Sequence, residues 1–355
     1  MIFTLLLVTL IFVPLVPRNT AVQADTDTKQ TSPKNGTLKV VTTISFVEDW
    51  ASQIGEELWA VESIVTGLEN PHTYEPTPSE IEAVANCDLF IRMGLEGLEP
   101  WVESTIDATG LSDEKIVTLV EQSMIEYDDV IGSNNPHVWM SPEIVKNMTE
   151  KIYDKCVEVD PVNQVTYLAN LNSYHADLDA LLDRIEGNKT ANFDGMKVVV
   201  HHPSFKYLFD LLGIERVASI EEQAGSEPSA EHIADVIKKM EDEDVKVIVH
   251  QPQLEDDKVN EIARDTGAKI ALLTPLLGVK WEELVVEPEE LGLDPGTEIL
   301  DKYIDMIDYD LIALANPYDP PEKEAINTWV LAGIGIVTIA VIMLVFIYFR
   351  SRRPV

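Results

Sequence analysis

A single long helical stretch cuts the alternating pattern of this chain into two halves. Asp160-Pro161 opens it, and Leu168, Leu171, Leu178, Leu181, Leu182 and Ile185 recur at threes and fours on one face to about Gly187. At 1.5 Å per residue such a helix measures on the order of 40 Å, enough to span two lobes rather than pack inside one. Before it, β-branched runs at 38–43, 61–65, 87–93 and 116–120 read as strands. Between them, Thr77-Pro78-Ser79-Glu80 has the form of a capping box with proline at the first helical position, and Ser141-Pro142-Glu143 repeats the start for a helix to about Val159. After it, strands are expected at 197–201, 245–249 and 269–273, with helices at 205–212 and 258–266. Strands alternating with helices predict an α/β fold. The expected architecture is two lobes, 37–159 and 188–316, each a largely parallel sheet flanked by helices, joined by one rigid linker helix over 160–187.

The remaining segments read as tethers. Residues 2–16 are apolar and are followed by Val22-Gln23-Ala24, a small-residue cleavage pattern, so 1–24 read as a signal peptide and 25–36 as a flexible lead-in. Pro317, Pro320 and Pro321 stiffen a spacer over 317–328. The 21 uncharged residues 329–349 are long enough to cross a bilayer, and Arg350, Arg352 and Arg353 in the 350–355 tail place that tail in the cytoplasm. These features predict a single-pass cell-membrane protein whose main body is extracellular. A formal net charge of −36 argues against nucleic acid or anionic lipid as a partner, because both would be repelled. Cys87 and Cys156 sit in apolar runs and read as free buried thiols, with a disulfide as the alternative. No glycine-rich phosphate loop occurs, so the chain is not expected to hydrolyse ATP itself.

Three histidines stand in distinctive settings. They are His72 in Pro71-His72-Thr73-Tyr74-Glu75-Pro76, His137 in Asn135-Pro136-His137-Val138-Trp139, and His202 in His201-His202-Pro203-Ser204-Phe205. No two fall on one helical turn, so the fold must bring them together. Ligands of open α/β sheets bind beyond the carboxyl ends of strands, where His202 falls, and His72 and His137 lie in first-lobe loops. Convergence would put a metal ion in the interlobe cleft, and neutral imidazole suits zinc best among borderline-soft divalent ions. His201, next along the strand, would point the other way.

In these motifs the chain resembles the zinc/manganese-type solute-binding proteins of ABC importers. The likeness runs through Gly67, 71–79, 135–139, 202–207, 225–230 and 299–316, and so covers about residues 38–316. It implies two α/β lobes joined by one long helix, with the ion between them. It also implies a monomeric receptor that delivers the metal to a permease and an ATPase on separate chains. Carried over by position, His72 and His137 match the two first-lobe ligands. His202 matches a third position, where histidine goes with zinc and a carboxylate with manganese, so Zn2+ is expected ahead of Mn2+. The fourth position departs from the family. Thr274 stands where an Asp is usual and Gln251 where a carboxylate is usual, which leaves His250 or water to complete the site. The family's His-rich loop is replaced by 122–134, with Glu126, Asp128 and Asp129, read as a solvated loop or a weak cation collector. His175 and His232 read as surface residues, and Glu75 as either a ligand-orienting or a surface residue.

Two other functions fit three histidines. A zinc hydrolase holds its metal with three protein ligands and a water, although no His-Glu-x-x-His helix is present. A surface adhesin with structural zinc would need four protein ligands and a metal-dependent fold.

Overall fold

The computed structural model describes residues 37–95, 97–222 and 225–322. The first lobe contains β1 (Leu38–Ile44), α1 (Ser45–Gly55), β2 (Trp59–Val65), α2 (Pro78–Asn86), β3 (Leu89–Arg92), α3 (Val102–Thr109) and β4 (Ile116–Thr118). It continues with a hairpin of β5 (Glu126–Asp128) and β6 (Ser133–Asn135), then α4 (Pro142–Val159). Its four-stranded sheet runs β2-β1-β3-β4, with every pairing parallel. Thr77 caps α2 in a full capping box, and the Ser141 side chain caps α4. Both starts were legible because a cap is a local signal.

The linker helix α5 (Gln164–Asn188) has 25 residues, roughly 38 Å at the usual rise. It begins later than the sequence suggests. Pro161–Asn163 form a 3-10 turn, while Asp160 accepts from the Asn163 amide and the Tyr167 hydroxyl. Its buried face is Tyr167, Leu171, Tyr174, Leu178, Leu181 and Ile185, and Leu168 lies 43 % exposed. Two tyrosines thus supply contacts that a leucine pattern alone does not show. The helix packs on α1 and α4 of the first lobe and also on the second lobe.

That second lobe contains β7 (Lys197–Val200), α6 (Lys206–Leu212), β8 (Glu215–Ser219), α7 (Ala230–Asp242), β9 (Val247–His250), α8 (Asp257–Thr266) and β10 (Lys269–Leu272). A short antiparallel pair, β11 (Val279–Lys280) and β12 (Ile299–Leu300), follows, then α9 (Tyr303–Ala315). Its parallel sheet runs β10-β9-β7-β8. Arg184 of α5 makes two hydrogen bonds of 2.8 Å to Asp308 of α9. Tyr303 of α9 reaches the first lobe, its hydroxyl donating to the Trp139 carbonyl and its ring meeting Trp50 edge-on. One apolar core therefore runs through both lobes.

Cys87 and Cys156 are both buried and free. Among the described residues no helix is long and apolar enough to cross a membrane. The leader expected at 1–24, the lead-in at 25–36 and the span expected at 329–349 lie outside the described residues.

Candidate metal centre

All three motif histidines come to the carboxyl edges of the two sheets. His72 lies in the loop after β2, His137 between β6 and α4, and His202 two residues past β7. The loop after β2 is held against the second lobe at one tight point. A Cβ on Gly278, which has φ +86°, would lie 1.6 Å from the Thr66 carbonyl oxygen, so only glycine permits this approach.

One ring nitrogen from each histidine falls within 4.8 Å of the other two. The Nε2 atoms of His137 and His202 are 3.2 Å apart, close to the roughly 3.3 Å expected between two nitrogens bound tetrahedrally to one zinc. Each ring has an acceptor at Nδ1. His72 donates to the Gly97 carbonyl at 2.6 Å, His137 to Asn135 Oδ1 at 2.8 Å, and His202 to the Glu221 carboxylate. Those acceptors select the Nδ1–H tautomer in all three rings and leave three Nε2 lone pairs for a cation. Burial, and then the neighbouring His202, press the His72 pKa down to about 4. Burial likewise holds His137 well below its ordinary value. Both rings are thus kept neutral, the form that binds metal.

The acceptors are themselves held. Asn135 gives both amide protons away, to Asp128 of β5 and to the Pro203 carbonyl of the second lobe. Asp128 is 1 % exposed and takes a bidentate pair from Arg216 of β8 at 2.8 and 2.9 Å. Burial alone would raise the Asp128 pKa, but Arg216 and Asn135 hold it below the usual carboxylate range. Glu126 pairs with Lys206 at 2.7 Å. The loop expected to be solvated or cation-collecting is instead an interlobe clamp, since two of its acids are committed to cations across the cleft.

Gly97 belongs to the segment after β3, tied down by buried Glu99, whose Oε1 accepts from the Gly94 amide at 2.7 Å. Burial lifts the Glu99 carboxyl from 4.5 to about 7. A folded-state value above the unfolded one means stability is greatest below pH 4.5 and is lost as pH rises through about 7. Glu99→Gln removes that loss, so relative to wild type it should gain up to about 3 kcal/mol between pH 5 and pH 8. Urea unfolding of both proteins at the two pH values measures the difference.

His250 is not brought to the cluster. Parallel pairing sets Val200 opposite Val249, so His201 and His250 share one side of the sheet while His202 and Gln251 share the other. His201 and His250 face one another, Nδ1 to Nδ1, at 3.0 Å. Gln251 lines the cleft and accepts from the Ser204 hydroxyl at 2.8 Å. Thr274 is fully buried, its hydroxyl donating to the Leu276 carbonyl. His175 and His232 are half-buried and hydrogen-bonded, to Thr149 and to the Ser219 carbonyl, rather than free surface residues. Glu75 is exposed, whereas Trp139 packs between Phe46 and His137 and donates to the Pro275 carbonyl. Glu221 was missed because β8 has too weak a strand pattern to show that an acid follows its carboxyl end.

The cavity bordered by His72, His137, His202, Trp139, Gln251 and Pro275 has a volume of about 20 Å³. That is room for an ion or a water, far below the roughly 300 Å³ where organic-ligand pockets begin. Among the described residues, three His, Cys, Asp or Glu ligand atoms gather here, one fewer than the four protein ligands of a structural zinc.

Residues 40–316 match the family described as zinc-uptake complex component A, periplasmic (ZnuA). The chain is 27 % identical over 294 residues to the high-affinity zinc uptake system protein ZnuA of Bacillus subtilis, covering 79 % of this chain and 88 % of that one. It is 30 % identical over 250 residues to the manganese-binding lipoprotein MntA of Halalkalibacterium halodurans, covering 68 % and 80 %. A crystal structure of ZnuA superposes with a TM-score of 0.64 over 79 % of this chain and 99 % of that one; at 24 % identity this likeness speaks for the fold alone. The chain thus belongs to the ZnuA family of extracytoplasmic metal-binding proteins, which serve ABC importers and are not enzymes.

Proposed function

We propose that this protein captures Zn2+ outside the cell on His72, His137 and His202 and passes it to an ABC permease and its ATPase, carried on separate chains. The observation that carries the reading is the set of three Nδ1–H groups committed to acceptors, which turns three Nε2 lone pairs toward one ion-sized cavity. The ligand cluster holds no carboxylate, and imidazole without carboxylate favours zinc over manganese. Relatives bearing zinc and manganese in their names make that choice the point to test. Water, or the Gln251 side chain at the cavity wall, would complete a four-coordinate ion.

Residues 329–349 serve in this reading as a single membrane span holding the receptor at the cell surface, supported by 21 uncharged residues followed by three arginines. Lobes that share a core and a clamp call for small adjustments on loading rather than wide hinge opening. The test is competition. Full-length protein in detergent, stripped with chelator, is offered equimolar zinc and manganese, and bound metal is read by elemental analysis. One zinc per chain with manganese displaced is expected; manganese in preference would overturn the assignment.

A further inference from the structure

We infer that Glu221 sets the charge and the metal preference of the centre by acting through His202, without touching the ion. The inference rests on the reading of His202 as a ligand.

Glu221 lies two residues past β8 at its carboxyl end, beside the position of His202 past β7. Its backbone N–H donates to the His201 carbonyl at 2.9 Å, which fixes where its side chain starts. The side chain is 7 % exposed, and the His202 ring is 4 % exposed. Among the described residues, the hydrogen-bond partner of this carboxylate is His202 Nδ1, and no Lys or Arg pairs with it. A buried carboxylate without a cation is costly. A neutral imidazole satisfies its hydrogen bond but not its charge. A cation bound on the far side of the same ring, where His202 Nε2 meets His137 Nε2 at 3.2 Å, would balance that charge.

Carboxylate, imidazole and metal then form a line. Glu221 fixes the tautomer, aims Nε2 and makes that nitrogen more basic. It also places a carboxylate behind a group of candidate ligands, His72, His137 and His202, that includes no carboxylate itself. This arrangement offsets the uncharged Thr274 and Gln251, which lie at the ends of β10 and β9. Negative charge placed behind an imidazole strengthens nitrogen ligation, which zinc prefers. Negative charge placed on the ion as an oxygen ligand would favour manganese. Glu221 is therefore a positioning residue that tunes selectivity.

Two variants of the full-length protein separate its two roles. Glu221→Gln keeps an acceptor for Nδ1–H and removes the charge; Glu221→Ala removes both. Zinc affinity should fall about tenfold in Glu221→Gln and nearer 100-fold in Glu221→Ala, the range found when orienting partners of metal ligands are lost. The zinc-over-manganese ratio should shrink in both. Nitrogen-15 shifts of the metal-free protein should report His202 as the Nδ1–H tautomer in wild type and Glu221→Gln, and as a mixture in Glu221→Ala. If Glu221→Ala folds poorly, the near-isosteric Glu221→Gln decides, and an unchanged metal ratio there overturns the inference. Zinc and manganese affinities within twofold of wild type in both variants overturn it as well, while leaving the receptor intact. A wild-type protein that binds no metal is a different result and sinks the receptor reading itself.

Discussion

His137→Ala should weaken zinc binding by more than about 100-fold, beyond the loss usual for residues that only orient a ligand. The ring is buried, and its Nε2 lies beside that of His202. The fold should survive, because Asn135 Oδ1 still accepts from the backbone amide of residue 137 and Asn135 still bridges Asp128 and Pro203. His202→Ala is the less clean experiment, since it leaves the Glu221 carboxylate buried without its donor. The informative contrast is His250→Ala. Its ring faces His201 on the other side of the sheet, so the ion should be held within about twofold of wild type, as for a site outside the cluster. Calorimetric titration with zinc reads all three variants. Loss of binding in His250→Ala with retention in His137→Ala would reverse the assignment.

Chelation should leave a folded protein, and zinc should then raise its melting temperature substantially. Metal-free folding is expected because the core is continuous through α5 and α9, and because Asp128–Arg216 and Tyr303–Trp139 join the lobes without an ion. Binding adds to that frame. With free zinc at a thousand times the dissociation constant, the native state gains about 4 kcal/mol. For a chain of this size the gain corresponds to a rise on the order of 10 °C. Thermal melts with chelator and with zinc measure both halves of the prediction. A chelated protein that has lost its secondary structure would mean that the metal is structural, and an unchanged melting temperature would mean that it is not held between the lobes.

Most of this architecture is written locally. Thr77 and Ser141 announce their helices by caps, and Gly267 ends α8 in the left-handed conformation, so these boundaries need no tertiary knowledge. The histidines were legible for a similar reason, each lying in a short motif beside prolines. What could not be read depends on register. The alternation that turns His201 away from His202 also turns His250 away from Gln251, but only the pairing of Val200 with Val249 shows that the two pairs are in step. The acids in 122–134 misled because charge suggests solvent, while Arg216 and Lys206, some eighty residues further on, come across the cleft to meet Asp128 and Glu126. Glu221, Gly97 and Asn135 matter through what they face, and linear spacing carries no record of that.

Zinc-edge X-ray absorption on the loaded full-length protein tests the central claim most directly. The account predicts three imidazole nitrogens at about 2.0–2.1 Å and one oxygen from water or an amide. A shell with four imidazoles would restore His250 as a ligand, and a shell dominated by carboxylate oxygens would contradict the three-histidine centre outright.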